Sequence, residues 1–131
     1  MQRWPLRSHL ELRALPASVR SARQHATTTL HEWQLQALAD SVELLASELV
    51  TNAVRASASA APQIRFWLTS DRRSVLIQVW DGGHSHPIRQ AGGPDAEAGR
   101  GLLIVETLST RWGCYASQQQ DGKIVWAVCT H

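Results

Sequence analysis

The order of elements readable in this chain predicts an α/β sandwich, a mixed, largely antiparallel sheet with about three helices on one face. Two observations carry that prediction. Two helical stripes precede a pair of strands joined by a tight turn, and a shorter helical stretch precedes a second hairpin. In the first pair of strands apolar residues fall opposite apolar residues, so one face of the sheet has to be covered. At 131 residues the chain reads as one domain, 1–131, with no room for a second.

Met1 to Leu15 alternates weakly, His9 and Glu11 against Leu10 and Leu12, and reads as an edge strand. Pro16 opens a helix, since proline suits a first turn. Val19, Ala22, Ala26, Leu30 and Trp33 then recur at spacings of three and four as one apolar stripe. A second helix is predicted from about Gln34 to Ser57, with Leu38, Val42, Leu45 and Leu49 as its core stripe and Ala53 continuing it. Beside that stripe runs a polar one, Glu48, Asn52 and Arg55, at i, i+4 and i+7, which share a helix face. Polar residues ordinarily lie opposite the core, so a polar flank adjoining the most hydrophobic turn asks for an explanation.

Gln63 to Ser70 and Ser74 to Trp80 form a hairpin around Asp71-Arg72, pairing Leu68 with Val75, Phe66 with Ile77 and Ile64 with Val79. By parity Asp81 points to the same covered face, which is costly for a carboxylate unless something hydrogen-bonds to it. His84 to Ala98, with Pro87, Gly92, Gly93 and Pro94, is a long connection of the kind that is usually functional or disordered. Gly99-Arg100-Gly101 leads into a helical stretch, Leu102 to Arg111. Trp112 to Gln118 and Lys123 to Thr130 form the second hairpin around Asp121-Gly122, in a register that sets Cys114 opposite Cys129.

Lysine and arginine total 13 against 11 acidic residues, a net charge of +2, too small a surplus to demand a nucleic-acid or anionic-membrane partner. Lys123 is the one lysine. An apolar fraction of 44% excludes a disordered chain. Six tryptophans supply large apolar area to a core or an interface. The longest strongly apolar run, Leu102 to Val105, falls far short of the ~20 residues of a membrane span, and the N-terminal residues lack the apolar core of a signal peptide. Cys114 and Cys129 are too few for a disulfide scaffold and lack metal-ligand spacing, so they read as reduced, buried thiols in a cytoplasmic protein. His84 and His86 have no carboxylate or thiol cluster nearby to complete a metal site.

Three features remain: Glu48-x-x-x-Asn52 on a helix, Asp81-Gly82-Gly83 ending a strand, and Gly99-Arg100-Gly101-Leu102 opening a helix. Singly each has an ordinary reading, as a solvated flank, a turn and a helix entry. Together they suit a nucleotide. Asp81 can accept a hydrogen bond from an exocyclic amino group, and Gly83 lets a base approach the backbone. Gly101 and Leu102 offer N–H groups at a helix N-terminus, a natural phosphate site. Asn52 offers a neutral oxygen to Mg²⁺. Glu48, one turn away, can take a proton from an attacking hydroxyl or water, a contribution of roughly 10²–10⁴-fold. Arg55 and Arg100 stand where a cation could meet phosphate, or are surface arginines.

Glu48-Leu49-Val50-Thr51-Asn52-Ala53-Val54-Arg55, Val79-Trp80-Asp81-Gly82-Gly83, Gly99-Arg100-Gly101-Leu102-Leu103-Ile104-Val105, Arg111-Trp112-Gly113 and Gly122-Lys123-Ile124-Val125-Trp126 closely resemble the small ATP-binding regulators of actinobacteria. These belong to the anti-sigma-factor serine kinase family. Its superfamily, the histidine kinase-like ATPases with the Bergerat fold, also holds gyrase, the heat-shock chaperone ATPase, histidine kinases and mismatch-repair ATPases. The resemblance covers about residues 15–128. It implies that Glu48 and Asn52 are the N box, with Glu48 the general base and Asn52 the Mg²⁺ ligand. Asp81 and Gly83 match the first glycine box, where the aspartate reads the adenine amino group. Gly99, Gly101 and Leu102 match the second, which cradles phosphates, and residues 84–98 match the ATP lid. The chain departs from the pattern at Ser85, where the fuller Asp-x-Gly-x-Gly form has its last glycine, and the lid carries His84, His86 and Pro87.

The implied activity is that of an ATP-dependent serine/threonine protein kinase. With ATP and Mg²⁺ it would phosphorylate a serine on a small anti-sigma-factor antagonist and so control a sigma factor. Within 131 residues no phosphoacceptor-histidine helical pair, transmembrane sensor or transducer domain is expected beside this fold. Ser85 and the unusual lid motivate an alternative, a non-catalytic ATP-responsive protein-binding regulator of the same fold. A nucleic-acid binder is the weakest reading, because the arginines are spread along the chain with no aromatic-interleaved cluster. Neither direct nucleic-acid nor membrane binding is expected. Relatives often dimerise, and the tryptophan-rich sheet faces could supply a homodimer interface.

Overall fold

A computed structural model describes residues 4–57, 63–83, 105–117 and 122–130. Strand β1 (Leu6–Arg13) leads into helix α1 (Ala17–Glu32), a short 3-10 segment (Gln36–Leu38) and helix α2 (Ala39–Ala56). Strands β2 (Gln63–Ser70) and β3 (Ser74–Asp81) follow, residues 105–108 are helical, and β4 (Arg111–Ala116) and β5 (Lys123–Thr130) complete the order. The five strands make one sheet in the order β1-β2-β3-β5-β4, antiparallel at every described pairing. The helices cover one face of it, giving the expected α/β sandwich; the sheet expected to be mixed shows no parallel pair among the described residues.

Strand alternation creates the layers. Phe66 of β2, Ile77 of β3 and Val125 of β5 point to the helix side and join one buried cluster with Leu30 of α1 and Leu45 and Leu49 of α2. The apolar stripes of both helices are therefore the ones the spacing predicts. Of the six tryptophans, Trp33 and Trp112 pack against this core. On the opposite face His9 stacks on Trp67 with centroids 5.3 Å apart, and the Arg65 guanidinium lies 5.6 Å from the centre of the Trp80 ring.

Both hairpin registers differ from the expected ones. In the first, Leu68 pairs with Ile77 and Phe66 with Val79. The cause is Asp71, whose Oδ1 accepts hydrogen bonds from the backbone N–H groups of Arg73 at 2.9 Å and Ser74 at 2.8 Å. With Arg72 at φ 79°, this builds a loop of four residues between paired Ser70 and Val75 instead of a two-residue turn. The slip is even, so every side chain keeps its face. In the second hairpin Ala116 faces Lys123, which leaves residues 117–122 as the connection. Cys114 then pairs with Val125, and Cys129 pairs with Val75 of β3, so the two cysteines do not face one another.

Candidate functional site

The site begins with α2. Glu48 and Asn52 are half-buried beside the buried Leu49 and Ala53, and Arg55 is exposed in the last turn, where a cation suits the helix C-terminus. The row Glu48, Asn52 continues at the same spacing to Ala56. Ala56 is where α2 meets the end of β3. A Cβ on Gly83 would stand 2.5 Å from the Ala56 carbonyl oxygen and 3.0 Å from Asp81 Oδ1. Glycine is thus required at 83 by the helix backbone, whatever else approaches it, and the polar row of α2 is brought to the Asp81 end of β3.

Asp81 is 1% exposed, on the covered face as parity predicts, opposite Ile64 of β2. Its Oδ1 accepts two hydrogen bonds, from the Gly83 N–H at 2.8 Å and from Lys123 Nζ at 2.9 Å. Lys123 opens β5 in direct register with Asp81, and its side chain is 5% exposed. The chain enters β5 through Gly122 at φ +110°, where a Cβ would lie 2.0 Å from the Asp81 carbonyl oxygen, so this close crossing also needs glycine. The second carboxylate oxygen, Oδ2, is buried and has no hydrogen-bond partner among the described residues. A buried acceptor left without a donor costs about 1–3 kcal/mol, more when charged. A ligand N–H delivered to Oδ2 would remove that cost, and the exocyclic amino group of adenine is such a donor. Cys114 is half-buried within electrostatic reach of the pair: burial raises its thiol above the ordinary value, while Lys123 lowers it and Asp81 raises it further.

The structure thus brings together Asp81, Gly83 and the C-terminal end of the helix that carries Glu48, Asn52 and Arg55. Gly99, Arg100, Gly101 and Leu102 lie outside the described residues, as do residues 84–98 with His84, Ser85 and His86. Lys123, which the sequence reading does not single out as a candidate, is the residue that pairs with Asp81. The signal was present in the strand: Val125, Ala127 and Cys129 alternate inward, so the lysine two residues before Val125 must point inward as well.

A family model described as the histidine kinase-like ATPase domain matches residues 12–129. The chain belongs to that family. No curated protein matches the chain. For a histidine kinase-like ATPase domain the ligand class is ATP, and the unpartnered Asp81 Oδ2 is the described group whose chemistry suits the adenine end of it. No helix among the described residues is long and apolar enough to cross a membrane.

Proposed function

We propose that this domain is a cytoplasmic serine/threonine protein kinase of the anti-sigma-factor type, which phosphorylates a serine on a small anti-sigma-factor antagonist and thereby controls a sigma factor. The observation that carries the nucleotide half of this reading is the buried, donorless Oδ2 of Asp81. The kinase half is supported by Glu48 and Asn52, which share one row of α2 that ends against Gly83. The partners follow from the resemblance of the Glu48–Arg55, Val79–Gly83 and Gly99–Val105 segments to the anti-sigma-factor kinases.

In this scheme the serine oxygen bonds to the γ-phosphorus as the bond from that phosphorus to the β–γ bridging oxygen breaks, and ADP leaves. Glu48 takes the hydroxyl proton. Asn52 would hold Mg²⁺ through its neutral side-chain oxygen, jointly with phosphate oxygens and water. The ion's contribution is to neutralise phosphate charge. Arg55 and Arg100, with Gly99, Gly101 and Leu102, would meet the phosphates.

The test is transfer of label from radioactive ATP to a serine of the cognate antagonist. Glu48→Ala should abolish labelling and leave nucleotide binding intact; labelling at the wild-type rate would remove Glu48 from the role. Ser85, in place of a glycine, favours a second reading in which nucleotide only stabilises a partner-binding conformation. Thermal stabilisation by ATP·Mg²⁺ with no transfer to any antagonist would select it.

A further inference from the structure

A carboxylate offers only acceptors, whereas the edge of adenine presents a donor and an acceptor side by side, the amino group and the ring nitrogen N1. At the Asp81 end of β3 the second half of that pattern is also built. The Lys123 ammonium has three donors, and among the described residues Asp81 Oδ1 is its hydrogen-bond partner, which leaves N–H groups to offer. Inward positions further along β5 hold Val125 and Ala127, so an ammonium in this row, 5% exposed, is a costly choice that packing alone does not call for. Because Nζ grips Oδ1 and the unpartnered Oδ2 shares the same carboxylate carbon, a donor and an acceptor stand next to each other at one buried point.

We propose that Lys123 donates to adenine N1 while Asp81 Oδ2 accepts from the amino group, so that the ion pair as a unit reads the base. This rests on the ATP-binding function above and adds a specificity-determining residue to it. An inosine nucleotide reverses both features. In the same orientation its carbonyl oxygen would face Oδ2 and its N1–H would face the ammonium, so rejection is built into the pair.

The experiment is calorimetric titration of the full chain with ATP, with 1-deaza-ATP, in which N1 is replaced by C–H, and with ITP. Loss of a hydrogen bond to a charged group predicts about 10- to 100-fold weaker binding of 1-deaza-ATP, with ITP weaker still. Lys123→Met should bring ATP and 1-deaza-ATP to within about twofold of each other, and Lys123→Arg should separate them again. Since Lys123 is the one lysine, nitrogen-15 lysine labelling of the unsubstituted protein gives a single side-chain signal, whatever the variants do to folding. That signal should move on adding ATP and much less on adding 1-deaza-ATP. Equal wild-type affinity for the two nucleotides overturns the inference, as does an equal response of the lysine signal, or a Lys123→Met protein that keeps the full preference for ATP. Failure of the wild type to bind ATP overturns the proposed function and this inference with it.

Discussion

Breaking the Asp81–Lys123 pair from one side should be far more damaging than removing both partners. The charges are 2.9 Å apart on side chains 1% and 5% exposed, so truncating either strands the other inside the sheet. Loss of one partner of a buried pair costs about 3–5 kcal/mol. In Asp81→Ala the stranded group is the ammonium, and the Gly83 N–H loses its acceptor as well. In Lys123→Met it is a carboxylate whose Oδ2 already has no donor. With both replaced, what remains is one unpaired N–H and a small cavity, together about 2–3 kcal/mol. The coupling between the two sites is then about 3 kcal/mol or more. Urea unfolding followed by tryptophan fluorescence at neutral pH reads this, since slopes of about 1–3 kcal/mol per molar turn each single loss into a midpoint drop of about 2 M and the double loss into about 1 M. Single costs that add to within about 0.5 kcal/mol in the double variant would mean that the two charges do not meet.

Gly83→Ala drives a Cβ into the Ala56 carbonyl, a backbone atom that cannot rotate aside, and should cost about 1–3 kcal/mol together with ATP affinity. Gly113→Ala is crowded at 2.9 Å by the Trp126 ring on the opposite face, so it should lower stability in thermal melts while calorimetry finds ATP binding unchanged. Equal effects of the two on ATP binding would refute the contact between α2 and the end of β3. His25, which shares a 2.6 Å hydrogen bond with Ser8 Oγ, is pulled below its ordinary pKa of 6.5 by burial; Glu32 opposes this and His9 adds to it. The unfolded chain therefore takes up a proton at a higher pH than the folded one. The stability contributed by neutral His25 is complete above 6.5 and is lost as pH falls through that value towards the lower folded pKa. His25→Gln should flatten the fall in Tm over this acid range, and an unchanged slope would exclude His25 as its source.

Side-chain periodicity made much of this molecule legible. The stripes Val19 to Trp33 and Leu38 to Ala53 and the alternation in β2 and β3 each report burial one residue at a time, which is why the sequence alone places Asp81 on the covered face. Register was less accessible, because it depends on Asp71 capping two backbone N–H groups, a local bond that shifts pairing while leaving the faces intact. The partner of Asp81 needed the sheet order, in which β5 and not β4 lies beside β3. In the sequence Gly83 reads as room for the approach of a base; in the structure the nearest atom to its missing Cβ belongs to the protein's own helix. The α2 row was legible as an anomaly, polar residues against the most hydrophobic turn, and its alignment with Ala56 and Gly83 supplies a reason for it.

Asp81 and Lys123 sit on β3 and β5, the strands that have neighbours on both sides, while β1 and β4 form the two margins of the sheet. Amide exchange along Leu6–Arg13 or Arg111–Ala116 needs only a margin to fray, whereas exchange at Val79 or Val125 requires the sheet itself to part. The Asp81–Lys123 pair therefore lies among the last parts of the fold to open. On the proposed reading of the base by this pair, breathing at the margins would leave recognition untouched, and a nucleotide would leave by lifting off an intact floor.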